Sequence, residues 1–183
     1  MEQGGTVDGI RKVVAGNLTR LRGSRGLTLS RLAELAGISK GTLSALEQGN
    51  GNPTIVTLWA LADALAVSFG ALVEGADTSV PDINEGVHVR LLAREDGPPR
   101  LESYLLTLEA GAVREAVGHG LRVDERVIVL QGQVRAGELG ATRMLAAGVE
   151  WTFDGARPHL YATGDGPATL LVMMRYAVAE ARA

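Results

Sequence analysis

The sequence predicts a two-domain chain, α-helical in its first part and all-β in its second. Apolar residues recur at helical spacing as far as about residue 74, and short β-type runs separated by Gly, Asp and Pro take over from about residue 87. The charge changes with them. Residues 11–46 hold seven basic side chains against Glu34 alone, a net of +6, whereas 11 basic and 14 acidic residues follow from position 79 onward. A net charge of −3 over 183 residues therefore conceals a locally positive N-terminal part, which is the distribution that a surface neutralising phosphates requires. The predicted boundaries are a helical domain over 8–75, a linker over 76–84 and a β-domain over 85–178.

The helices follow from local chemistry. Ile10, Val14, Leu18 and Leu21 share one face of a first helix, which Gly23 and Gly26 stop. Thr28 is placed to cap a second helix with the stripe Leu29, Leu32, Ala33 and Ala36, and Gly37 ends it. Ser39 caps a third helix running to about Gln48, with Leu43 and Leu46 inward and Lys40, Thr42, Ser44 and Ala45 outward. Small Ala33 and Ala36 permit close helix approach, and Ile38 plugs the joint. After the loop GNGNP, Thr54 caps a fourth helix with the stripe Leu58, Leu61, Ala62 and Leu65, and a short fifth spans about Ser68–Glu74. Trp59 reads as core.

Gly75–Asn84 has turn composition without periodicity, hence the linker. The strand-like runs beyond it are 87–92, 101–108, 126–130, 133–136, 142–145, 150–153, 159–162 and 168–176, and many short strands without long helices indicate a sandwich or closed barrel.

Composition narrows the function classes. With 46% hydrophobic and 21% charged residues the chain is expected to fold around a real core. It has no cysteine, which removes disulfides, thiolate metal sites and cysteine nucleophiles and agrees with a cytoplasmic location. No signal sequence and no run of roughly 20 apolar residues is present, so the chain is expected to be neither exported nor embedded in a membrane. No Ser-His-Asp set or phosphate-binding glycine loop stands out.

The stretch TLSRLAELAGISKGTLSALEQG, together with GNGNPTIVTLWALADAL, resembles the phage-repressor-like (Xre-type) helix-turn-helix, and the resemblance runs from about Ile10 to Glu74. It implies a five-helix lambda-repressor-like DNA-binding domain in which Ser39–Ala45 begin the recognition helix. Of these DNA-binding residues, which start at Ser39, Lys40, Gly41, Thr42, Ser44 and Ala45 would lie nearest the bases, and Thr28, Gln48 and Asn50 nearest the phosphates of double-stranded DNA. It also implies an ion pair between Arg22 and Glu47. Lys40 is the one long donor on the reading face, so specificity is expected to lean on DNA shape or on half-site spacing in a homodimer. The bland alternative is a helical unit that only packs, or that contacts protein.

The β-part resembles a cupin, a double-stranded β-helix or jelly roll, from about Val87 to Tyr176. In HGLRVDERVIVLQG the residues His119, Glu125 and Gly132 match the first cupin motif, with Leu121 where a second histidine is usual. In GVEWTFDGARPHLYAT, Gly148 and His159 match the second, while Asp154, Ala156 and Thr163 depart from it. Leu121 removes a ligand and makes the interior more apolar, so the preferred reading is a pocket without metal, lined by His119, Leu121, Glu125, Trp151, His159, Tyr161 and Met173. In that reading both histidines are hydrogen-bonded walls and Glu125 pairs with an arginine such as Arg126 or Arg157. Should a divalent Fe, Mn, Ni or Zn bind, its ligands would be His119, Glu125 and His159. His88 lies outside both motifs.

The combination is similar to bacterial one-component regulators. It implies a non-enzymatic transcriptional regulator whose cupin domain binds a small-molecule effector. The rival is a metal-dependent cupin enzyme, an oxygenase or isomerase, with an appended DNA-binding domain.

Overall fold

A computed structural model describes residues 3–52, 54–75, 80–82, 86–119 and 123–177. The chain divides into two compact units between Pro81 and Asp82. Among the described residues, no helix is long and apolar enough to cross a membrane.

The first unit contains α1 (Gln3–Ser24), α2 (Leu29–Leu35), α3 (Lys40–Glu47), α4 (Ile55–Leu65) and α5 (Gly70–Val73). The hydroxyls of Thr28, Ser39 and Thr54 accept the backbone N–H of Arg31, Thr42 and Thr57, which satisfies one orphan donor at the start of α2, α3 and α4. Gly37 turns the chain between α2 and α3 at φ 65°, a region that a side chain would resist. The core is built from Ile10, Val14, Leu18, Leu32, Ala33, Leu43, Leu46, Leu58, Leu61 and Leu65, closed by Phe69 and Leu72. Leu21, Leu29 and Ala36 are only half-buried, and the last helix is shorter than its apolar stretch suggests. Trp59 is half-buried and stacks on Phe69 at 4.8 Å.

The second unit is entirely β. The strands of the chain are β1 (Val80–Asp82), which straddles the boundary, β2 (Val87–Glu95), β3 (Arg100–Leu108), β4 (Val113–Ala116), β5 (Val123–Gln131), β6 (Gln133–Glu138), β7 (Arg143–Ala146), β8 (Glu150–Asp154), β9 (His159–Ala162) and β10 (Ala168–Tyr176). They form a six-stranded sheet, β1-β2-β3-β10-β5-β8, and a four-stranded sheet, β4-β9-β6-β7. From β3 onward the chain passes repeatedly from one sheet to the other, as a jelly roll requires. The period-2 alternation of burial along β3, β5 and β10 turns one face of the large sheet inward.

The fold class is thus the α plus all-β arrangement that the sequence predicts, with differences in detail. β1 falls inside the stretch read as linker, the rest of which, 76–79 and 83–84, lies outside the described residues. Strand β4 belongs to no predicted run, because four residues reading Val-Arg-Glu-Ala give no apolar alternation. Strand β5 begins three residues before Arg126, since the inward residues Val123 and Glu125 alternate in phase with Val127.

Candidate functional site

The helical unit presents α3 by its N-terminal half. Ser39, Lys40, Gly41 and Thr42 are exposed, and the Ser39 hydroxyl, which caps the helix, lies 2.8 Å from that of Thr42. Leu43 and Leu46 anchor the opposite face. Ser44 and Ala45 are half-buried, and the Gln48 side-chain amide donates to the Ser44 hydroxyl at 3.1 Å. Thr28, Gln48 and Asn50 are exposed around this helix. Every residue read from the sequence as base- or phosphate-facing therefore sits on or beside α3 or on the cap of α2, with Ser44 and Ala45 less open than expected.

The C-terminal end of α3 is tied to α1. The Arg22 guanidinium donates from Nε to Glu47 Oε1 at 2.6 Å and from Nη2 to Oε2 at 2.9 Å, and its Nη1 donates to the Leu27 carbonyl at 2.8 Å. Hydrogen bonding to Glu47 raises the Arg22 pKa further above its ordinary value. This is the bidentate pair that the family resemblance implies, and it ties the C-terminal end of α3 to α1.

Inside the barrel, the register aligns Arg94 (β2), Glu102 (β3), Met174 (β10), Glu125 (β5) and Phe153 (β8) in one row across the large sheet. Glu102 accepts the hydroxyls of Tyr104 at 2.5 Å and Tyr176 at 2.9 Å, and Arg94 Nε lies 3.5 Å from it. Burial, reinforced by the Glu102 charge, raises the Tyr176 pKa, so the phenol remains a donor. On the facing sheet, Arg114 (β4), Tyr161 (β9) and Ala136 (β6) form a second row.

Glu125 is the junction of the two sheets. Its carboxylate accepts the Tyr161 hydroxyl from across the barrel and lies 3.3 Å from His119 Nε2 and 3.4 Å from His159 Nε2. Burial alone would raise its pKa, but the hydrogen bond from His119, the two imidazoles and Tyr161 hold it down to about 2. The carboxylate is therefore ionised although it is 1% exposed. His159, also buried, has its pKa lowered by burial first, with the Glu125 charge acting in the opposite direction. Its Nδ1 lies 2.8 Å from the Arg157 carbonyl, which can only accept, so Nδ1 carries a proton and, in the neutral ring, Nε2 carries a lone pair. That buried Nε2 has no hydrogen-bond donor and faces a carboxylate oxygen, two electron-rich atoms side by side.

Such an arrangement fits a cation between them. Ligand atoms of His119, Glu125 and His159 all lie within 4.8 Å of one another, and two imidazoles with one carboxylate suit a first-row divalent metal. The histidines are thus not simply hydrogen-bonded walls, and Glu125 does not pair with Arg126 or Arg157. Arg126 is taken by Glu150 at 2.6 Å, and Arg157 lies 3.4 Å from both Glu138 and Asp154, all at the surface.

Of the residues expected to line the pocket, His119, Glu125, His159 and Tyr161 meet in the interior. Trp151 is half-buried at its edge, 5.7 Å from Phe153, with the Arg143 guanidinium 4.6 Å over its ring. Leu121 lies outside the described residues. Met173 is a correction: strand alternation turns it away from Val172, Met174 and Tyr176, and its cross-strand partner is exposed Arg126. Met174 takes the inward place. Sequence reasoning also missed Phe153, Glu102 and Arg114. The first two are in phase with inward neighbours and were findable by alternation, whereas Arg114 sits on the strand that gave no signal.

Comparison with known proteins agrees with both halves of this description. The helix-turn-helix family model HTH_3 matches residues 18–72. The HTH-type transcriptional regulator SutR of Escherichia coli (strain K12) is 29% identical over 162 residues, covering 86% of this chain and 91% of SutR. The crystal structure of an HTH_3 family transcriptional regulator from Vibrio cholerae is 30% identical, with a TM-score of 0.81 over 93% of this chain and 99% of that one. The cupin domain of an XRE family transcriptional regulator from Enterobacter cloacae is 24% identical and covers 51% of this chain at a TM-score of 0.48.

Proposed function

Because the chain belongs to the HTH_3 (Xre-type) family of helix-turn-helix transcriptional regulators, we propose that it binds operator DNA as a cytoplasmic homodimer and that its barrel senses a small-molecule effector. The observation that carries the DNA-binding reading is the open, capped N-terminal half of α3, with Ser39, Lys40, Gly41 and Thr42 all exposed. A helix presented in this way fits the major groove, where Lys40 and Thr42 donate to base edges and Gly41 and Ala45 leave room for thymine methyls. Thr28, Gln48 and Asn50 then fix the register on phosphates. Pairing two copies doubles the bases read and sets a half-site spacing, which compensates for a reading face with one long donor.

The barrel interior supports the sensing role. Its inward face carries a polar set, Glu125, His119, His159 and Tyr161, where packing alone would select aliphatic side chains. An effector changes DNA affinity only through a difference in its affinity for two arrangements of the paired DNA-binding domains. Residues 76–84 join the two units and are the segment in which that difference would be expressed.

His119, Glu125 and His159 would hold a divalent ion, and the unsatisfied Nε2 of His159 favours this as a second reading. Such an ion would supply a Lewis-acidic anchor for an oxygen-bearing ligand. The protein's own part is to keep Glu125 ionised, to fix the His159 tautomer through the Arg157 carbonyl and to hold the Tyr161 hydroxyl on the carboxylate. A metal-dependent oxygenase or isomerase is the enzymatic rival. Metal analysis of the purified protein tests it, since stoichiometric Fe, Mn, Ni or Zn lost on His159→Ala would be required.

The experiment that tests the main reading is selection of bound sequences from random duplexes by the full-length protein, followed by affinity measurement. A selected inverted repeat, bound at least about tenfold more weakly by the double variant Lys40→Ala, Thr42→Ala, is the expected result. Binding to no preferred sequence, or unchanged affinity in the variant, would contradict it.

A further inference from the structure

Arg114 is the charged group inside the barrel that nothing so far explains. It lies on β4, where Val113 and Glu115 point outward, and the residue is 6% exposed. Its cross-strand neighbour is Tyr161, whose hydroxyl reaches Glu125, so the guanidinium shares the inner face with the polar set. Among the described residues it makes no hydrogen bond and no ion pair. The Glu125 carboxylate on the same inner face receives the Tyr161 hydroxyl and lies against His119, and it forms no ion pair with Arg114.

A guanidinium largely withdrawn from bulk water and without a protein acceptor is poorly satisfied, and because its nitrogens are not fully enclosed an entering ligand can reach them. The contrast with Arg94 is direct. That residue, equally inward at the other end of the large sheet, lies beside the buried carboxylate of Glu102. Among the described residues no carboxylate plays that part for Arg114. The geometry points to an organic acid as the effector: a carboxylate seated against the Arg114 guanidinium, with the body of the molecule on the aromatic wall of Phe153 and Tyr161. The fork of a guanidinium matches a carboxylate in two parallel hydrogen bonds. A single negative charge suits the site better than a phosphate dianion, because the Glu125 carboxylate shares the same interior.

This proposal rests on the reading of the barrel as a sensor, and the test separates the two. Full-length protein is titrated calorimetrically and in thermal melts with acetate, propionate, benzoate and phenylacetate, each paired with its primary amide, and with inorganic phosphate. At least one acid should bind and raise the melting temperature, with its amide and with phosphate weaker by about tenfold or more. Arg114→Gln should weaken that acid by about tenfold or more. Arg114→Lys, which keeps the charge but loses the fork, should weaken it severalfold and serves should the glutamine variant fail to fold. The proposal is overturned if acid and amide bind alike, if phosphate binds best, if none of the acids binds, or if Arg114→Lys retains wild-type affinity. An acid that binds through Arg114 without changing operator affinity would leave the anion site standing and refute the sensor reading.

Discussion

Replacing Glu47 by alanine isolates the tie between α3 and α1. The wild-type pair has two charge-assisted hydrogen bonds, at 2.6 and 2.9 Å, between side chains that are 20% and 10% exposed. Hydrogen bonds to charged groups contribute roughly 1.5–3 kcal/mol each. The two act as one unit, and the partial exposure of Arg22 lowers the total. Truncation also strands the guanidinium with the Leu27 carbonyl as its remaining acceptor. The expected cost is about 2–3 kcal/mol. In a helical unit of this size each kcal/mol moves the midpoint by roughly 4–8 °C, so its melt should fall by about 10–20 °C. Circular dichroism at 222 nm follows that transition in Arg22→Ala, Glu47→Ala and the double variant. The cycle should give a coupling of about 2 kcal/mol. A coupling under ~0.5 kcal/mol would show that the pair is a surface contact of no consequence, and the claim that it ties α3 to α1 would fall with it.

Other substitutions probe separate parts of the account. Ser39→Ala removes the cap of α3 and should cost about 1 kcal/mol in the same melt, with Ser39→Asp restoring most of it; equal stability of all three would deny the cap any role. Gly137→Ala places a Cβ about 2.3 Å from the Trp151 ring at a backbone φ of 116°, so the β-unit should lose roughly 2 kcal/mol or more in urea titration while the helical transition stays put. Met174→Ala should cost about 2–4 kcal/mol and Met173→Ala less than ~1 kcal/mol; the reverse order would mean that β10 is out of phase.

The elements were read most securely where several local signals coincided. Thr28, Ser39 and Thr54 each precede an apolar stripe at helical spacing, and each caps the helix expected of it. The inward phase of a strand was harder to find. Met173 and Met174 are adjacent and chemically identical, and only counting outward from Leu170 and Val172 shows that the second faces the interior. Glu125 was singled out by motif, but its partners were not, since Tyr161 arrives from the facing sheet and a pairing across a barrel has no footprint in linear spacing. Arg114 lay beyond reach for the same reason, compounded by a strand of four residues with no alternation of its own. The Arg22–Glu47 contact spans 25 positions and was accessible through family resemblance.

The claim on which the rest depends is that the outer face of α3 lies against stacked base pairs. The chain has no cysteine, so Thr42→Cys creates a single attachment point for iron–EDTA on that face. With the selected operator bound, cleavage should fall within the major groove of each half-site and lose that pattern when an unrelated duplex replaces the operator. Cleavage scattered along the operator, or the same pattern on both duplexes, would contradict the assignment.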